Sequence, residues 1–324
     1  MSCGDPVLTF GIIADVQYAD EDNGRNFLKT RTRYYRNSLN ILHNAVNHWR
    51  QVKPRVDFIL QLGDHIDGIC KRKGSDVGLR TALGPLISFG KPVYHVIGNH
   101  ELYNFSREQF IGTELFSAGR EECDSPAVGC LYYSFQPHPA VRVVALDCYD
   151  VSLIGNPKDS DKYREAMEII REKNTNEDLA SPLGLPEENM RFVTWNGGLS
   201  SRQLSWLQTE VQEAEKLRQN VIVFGHLPLF QPTSDCVNLC WNAEDVVDVL
   251  HQHSCVVCYL CGHNHDGGDA VDGEGILHVT MPGVVERGPG EDAFATASLH
   301  RERLDIAGQG AAGSFSVNLR YPIS

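Results

Sequence analysis

Gly98-Asn99-His100-Glu101 stands at the end of the apolar run Val93 to Ile97. A strand that ends in glycine and then offers an amide, an imidazole and a carboxylate sets polar groups at a sheet's carboxyl edge, where open α/β sheets bind ligands. Four such residues alone would also suit an ordinary turn. The chain repeats the arrangement. Val7 to Ala14 ends at Asp15-Val16-Gln17, Val56 to Leu62 at Gly63-Asp64-His65-Ile66-Asp67, and Val221 to Phe224 at Gly225-His226, while Cys255 to Leu260 leads into Gly262-His263-Asn264-His265. Five strand ends bearing carboxylate, amide and imidazole are hard to ascribe to turn chemistry, and these donor types suit Mn, Fe or Zn. A His-x-His on an extended segment aims two rings at two neighbouring ions, so the pattern points to a dinuclear metal site.

Between these runs, Leu39, Leu42, Val46 and Trp49 recur at helical spacing within Phe27 to Gln51, and the helix stops near Pro54. Leu79 to Phe89 reads as helical in part. Strand, helix, strand, helix, strand predicts an α/β fold with active loops on one edge. Leu131 to Phe135 and Val141 to Asp147 read as a hairpin. Ser200 or Ser201 caps a helix through Leu217, Ala243 to Leu250 is helical, and Ile276 to Tyr321 reads as several short strands. Residues 150–199 differ in character: a charged helix, Asp161 to Lys173, lies among Pro- and Gly-containing loops without strand signals. The segment reads as an insertion or lid within a single domain, 1–324.

Composition narrows the function. With 324 residues, 42% hydrophobic and 22% charged, the chain is long enough for a sizeable core. A net charge of -13 disfavours broad contact with nucleic acid, which needs a face of Lys and Arg. No run approaches a membrane span and no signal peptide is visible. Ten cysteines then read as reduced thiols of a cytoplasmic protein. Cys255, Cys258 and Cys261 have zinc-like spacing, but they lie in an apolar run, where free Cys packs as a small hydrophobe.

The order Asp15-x-Gln17, Gly-Asp64-x-x-Asp67, Gly-Asn99-His100-Glu101, Gly-His226 and Gly-His263-x-His265 resembles the calcineurin-like metallophosphoesterases across most of the chain. The resemblance implies a four-layer α/β fold, a double β-sandwich flanked by helices, with Asp64 bridging two divalent metals. By the same resemblance Asp15, Gln17 and His265 complete one metal site, and Asn99, His226 and His263 the other. Most of that family has His at the position of Gln17. An amide oxygen is a harder, weaker ligand than imidazole, so the first site is expected to lean towards Mn²⁺ or Mg²⁺ over Zn²⁺ or Fe. Asp-x-Gln together with the insertion resembles the manganese-dependent ADP-ribose/CDP-alcohol diphosphatase branch. Asp67 stands where purple acid phosphatases would place a metal-binding Tyr, which disfavours that group.

Two divalent ions about 3.5–4 Å apart activate a hydroxide and clamp the oxygens of an in-line displacement at phosphorus. His100, beside Asn99, is the candidate general acid, with Glu101 or Asp67 to orient it; Glu101 is equally readable as structural. Substrate contacts are expected from Phe27, Tyr103 and Arg107, which follow ligand loops closely, and from Asn196-Gly197-Gly198-Leu199 through bare backbone. Most of Arg25, Lys29, Arg31, Arg33 and Arg36 reads as a solvated face. The expected activity is hydrolysis of the phosphoanhydride in small nucleoside diphosphate compounds, giving a nucleoside monophosphate, by a monomer. The rivals are a phosphomonoesterase or cyclic nucleotide phosphodiesterase with the same metals, and a non-catalytic scaffold.

Overall fold

The computed structural model describes residues 5–26 and 29–323. Strand periodicity decides its layering. In Leu8–Ile13, Phe10 and Ile12 face one way and Gly11 and Ile13 the other; Phe58–Gln61 alternates in step with it, pairing Phe10 with Phe58 and Ile12 with Leu60 in parallel. The sheet runs Phe315–Asn318, Arg303–Gly310, Ala293–Leu299, Leu8–Ile13, Phe58–Gln61, Val93–His95. A second sheet runs Gly268–Val271, Leu277–Thr280, Val256–Cys261, Asn220–Phe224, Val141–Ala145, Tyr133–His138, Cys123–Asp124.

The inner faces of the two sheets meet in one core that includes Phe10, Ile12, Phe58 and Leu60 from the first, and Val143, Ile222, Phe224 and Leu260 from the second. Tyr94 of the first stacks on Phe135 of the second at 3.7 Å. The outer-facing Ile13, Ile59, Val221 and Val223 belong to another cluster with helical residues such as Leu42, Trp49, Leu86, Leu207 and Val211. Helix, sheet, sheet, helix are the four layers expected. Each sheet is parallel where it matters: Leu8–Ile13, Phe58–Gln61 and Val93–His95 run together. So do Val141–Ala145, Asn220–Phe224, Val256–Cys261 and Leu277–Thr280. All seven carboxyl ends therefore open on one edge.

Several boundaries differ from expectation. The first helix is Tyr35–Gln51, and the chain before it forms a two-residue ladder between Gly24–Arg25 and Thr32–Arg33. Helical periodicity in Leu39 to Trp49 does not extend to those polar residues. Residues 150–199 contain the helix Asp161–Lys173 but also a short ladder, Val151–Ser152 with Gly197–Gly198, which lacks strand signals because it is four residues long and half glycine. That segment carries its own small core of Val151, Ala166 and Ile170 against Trp241.

Cys255 and Cys261 join the outer cluster, whereas Cys258 faces the inter-sheet core. A period of two puts residues three apart on opposite faces, so this spacing cannot gather the thiols around one ion.

Trp49 locks the first helix onto its sheet, donating Nε1–H to Ala295 O at 3.1 Å while its ring covers Gly11. A Cβ at position 11 would lie 2.6 Å from the ring. Gly11→Ala is therefore expected to destabilise by about 1–3 kcal/mol, as overpacked cores do. Urea unfolding checks this, and an unchanged midpoint would show that the helix can lift away freely.

Candidate metal centre

At that shared edge the seven expected ligands gather, and the backbone is distorted to bring them there. Among the described residues six non-glycine positions have positive φ, and four of them are Asp15, Gln17, Asp64 and His263. Such conformations cost roughly 1–3 kcal/mol each and persist where surrounding structure holds them. Part of the hold is Glu101, whose carboxylate accepts the backbone N–H groups of Asp64 (2.8 Å), His65 (2.6 Å) and Gly98 (2.9 Å). Close approach also demands glycine: a Cβ on Gly98 would lie 2.1 Å from Asp64 Oδ1, and one on Gly262 2.3 Å from Asp15 Oδ2.

Asp64 is the hub. Its Oδ1 accepts the His100 N–H at 2.8 Å, which leaves Oδ2 facing both His226 Nε2 (3.4 Å) and the Gln17 amide (2.9 Å). The donor atoms of Asp64, His226 and His263 lie within 4.8 Å of one another. On the other side, Asp15 Oδ1 is 3.3 Å from His265 Nε2, and its Oδ2 accepts the His263 N–H at 2.9 Å. The Gly262 to His265 segment is a turn rather than the extended run expected, and the positive φ of His263 separates its ring from that of His265.

Each ring is oriented from behind. His226 Nδ1 is 2.7 Å from Leu62 O, His265 Nδ1 is 3.0 Å from Glu286 Oε1, and His263 Nε2 is 3.0 Å from Asn196 Oδ1. All three outer partners are acceptors, so each ring turns its other nitrogen inward, towards Asp64 for His226, Asp15 for His265 and the His226 ring for His263, where a cation can take the place of a proton. Gln17 adds a second sign. Its Nε2 is 3.1 Å from His265 Nε2, while its buried Oε1 has no partner. Half a turn of the amide puts that oxygen among the ligands, where only an intervening cation makes it welcome. The residues present thus fit two divalent metals.

The pattern that describes the calcineurin-like phosphoesterases matches residues 8–267. The chain belongs to this family. It is 42% identical to a Xenopus laevis protein named manganese-dependent ADP-ribose/CDP-alcohol diphosphatase, over 98% of this chain and 92% of that one. A human protein of the same name is 39% identical, over 94% and 90%. A solved dimetal phosphatase from Danio rerio, 41% identical, superposes with a TM-score of 0.93 over 97% of this chain and all of that one.

Within this calcineurin-like site the other expected residues fare unequally. Asn99 opens the short helix Asn99–Asn104, and its amide lies between the hydroxyls of Tyr103 (3.3 Å) and Tyr149 (3.2 Å). Tyr103 also flanks the His100 ring at 5.3 Å, so it is at the site. His100 Nδ1 accepts the Gly68 N–H at 2.9 Å and lies 3.2 Å from Asp67 Oδ2, whereas Glu101, fully engaged with backbone, does not touch the ring.

Arg107 is not available to substrate, because it pairs with Asp147 at 2.6 Å and donates to Tyr149 O. Leu199 is buried, with its N–H donated to Asn242, and Gly197 and Gly198 are buried in their ladder, so no bare backbone is presented. Phe27 lies outside the described residues. Of the basic stretch, Arg36 pairs with Asp20 and Asp22, and Arg31 with Asp266, while Arg33 reaches Asp67 at 3.2 Å. Sequence reading missed Glu286, Tyr149 and the side chain of Asn196. Glu286 follows the strand Leu277–Thr280 but is separated from Gly283 by Val284 and Val285, so a rule of glycine followed by a polar donor does not reach it.

Burial opposes protonation of His226 and His265, yet Asp64 for the first and Asp15 for the second push both up to about 9. Near neutral pH a cation must displace those protons. Mn²⁺ affinity is therefore expected to rise with pH until about 9 and then level off. Calorimetry in buffers of different ionisation enthalpy reads the released protons; identical heats in all buffers would contradict the assignment.

Proposed function

We propose that this chain hydrolyses the phosphoanhydride bond of small nucleoside diphosphate compounds such as ADP-ribose and CDP-alcohols, with Mn²⁺, to yield a nucleoside monophosphate. The observation that carries the reading is the single Asp64 oxygen facing His226 on one side and Gln17 on the other. Asp15, Gln17, Asp64 and His265 would hold one ion; Asp64, Asn99, His226 and His263 would hold the other. When bound, such ions activate water and neutralise phosphate oxygens. Gln17 in place of imidazole, and the name shared by relatives near 40% identity, support manganese and the diphosphate substrates.

His100 supplies the proton. Its Nδ1 accepts the Gly68 N–H at 2.9 Å beside Asp67 Oδ2, so the neutral ring carries its hydrogen on Nε2, which faces the centre, 3.9 Å from Asp64 Oδ2. Burial disfavours the imidazolium, but Asp64 and Asp67 overcome it and raise the pKa above the ordinary histidine value. The imidazolium passes its Nε2 proton to the departing phosphate oxygen and is left as a neutral ring, and solvent restores the proton. Nine cysteines among the described residues are free, which suits a reducing, cytoplasmic setting, and no described helix is long and apolar enough to cross a membrane.

With Mn²⁺, ADP-ribose is expected to exceed a cyclic nucleotide and an aryl phosphate in kcat/KM; preference for the aryl ester would overturn the diphosphatase reading. His100→Ala should keep its metal and lose about 10²–10⁴-fold in kcat, most severely for poor leaving groups. Wild-type turnover by that variant removes His100 from the acid role. Gln17→His should retain Zn²⁺ more tightly at the first site, and a titration with unchanged affinity would argue against Gln17 as a ligand.

A further inference from the structure

His263 differs from the other two rings in how it is set: neither a backbone carbonyl nor a carboxylate holds it, but the amide of Asn196, from the segment 150–199. Asn196 is fully buried, and its orientation is dictated. Nδ2 lies 2.9 Å from Arg191 O and 2.7 Å from Val237 O, and carbonyls only accept. The amide oxygen must then face the ring, ring Nε2 must be the donor, and the lone pair must fall on Nδ1. That lone pair lies 3.3 Å from His226 Nε2, on the side of Asp64.

We propose that Asn196 is a positioning residue of the metal centre: it selects the His263 tautomer that offers Nδ1 to a divalent cation, and so makes the insertion a fixed part of the centre. The inference rests on the dimetal reading above. Both neighbours of Asn196 keep it in place. The Trp195 ring lies against His263 with centroids 5.5 Å apart, and Gly197–Gly198 is laddered to Val151–Ser152. Without the Asn196 oxygen no acceptor holds the hydrogen on Nε2, and the opposite tautomer's Nδ1–H would aim a hydrogen where the cation belongs.

Two variants separate tautomer control from simple bracing. Asn196→Ala loses the acceptor and both donations, whereas Asn196→Asp keeps an oxygen against His263 Nε2–H and loses the donations to Arg191 and Val237. Mn²⁺ titrations followed by electron paramagnetic resonance should show the alanine variant binding one of two ions about 10- to 100-fold more weakly, with the other little changed. The aspartate variant should recover that ion, although its cation-free Tm falls as the alanine variant's does. Wild-type binding of both ions by Asn196→Ala overturns the proposal, as does equal weakening in both variants, because bracing alone then accounts for the loss. If the alanine variant does not fold, the aspartate variant against wild type decides in the same way. A wild-type titration that finds no ion pair overturns the dimetal reading itself, and this inference with it.

Discussion

An imidazole can give a metal only the nitrogen that carries no hydrogen, and here that choice is made from outside the ring. Leu62 O, Glu286 and Asn196 each take the outward N–H of one histidine. Three inward ring nitrogens and the carboxylates of Asp15 and Asp64 consequently crowd into one buried space, where protons on His226 and His265 balance the charge until cations displace them. The rest of the molecule makes this crowding possible. Seven parallel strand ends deliver the residues to one edge, glycines leave no side chain between them, and left-handed backbone at four ligands turns them inward.

That arrangement has to be held before any cation arrives. Strain of roughly 1–3 kcal/mol at each left-handed ligand would otherwise relax into ordinary loops. Glu101 opposes this by closing three backbone N–H groups from two separate loops onto one carboxylate. Burial and the nearby Asp64 charge push its carboxyl up to about 7, the cost of placing a third acid so close to the hub. Its position inside the Gly-Asn-His-Glu run made a catalytic role equally readable, yet its work is to keep the loop of Asp64 and the helix of Asn99 in register.

The candidate ligands were legible because each is announced locally, by an apolar run that ends, in most cases through glycine, at a polar donor. The apolar run around Cys255, Cys258 and Cys261 likewise left them to the core, where they lie. What escaped was whatever acts from a distance or depends on direction. Asn196 and Glu286 orient rings that lie far along the chain, and no spacing within their own segments records it. Arg107 and Leu199 were placed near the substrate because they follow site loops, but adjacency in sequence does not fix where a side chain turns. Asp147 claims the first and the core claims the second.

Charge makes the metals decisive for substrate as well as for water. The chain carries a net charge of -13, and the arginines that follow the first ligand loop are largely spent on Asp20, Asp22 and Asp266. Arg33 points inward, but it is paired with Asp67 beside His100 and balances that carboxylate. In the cation-free centre Asp15, Asp64, Asp67 and Glu286 are offset only by Arg33 and the protons on His226 and His265, which leaves the field against an anionic substrate. Cations reverse the sign of that field, so metal and anionic substrate must each strengthen the other's binding by the same factor. Discrimination beyond charge must then come from the surrounding walls, where the segment 150–199 sets Trp195 beside His263.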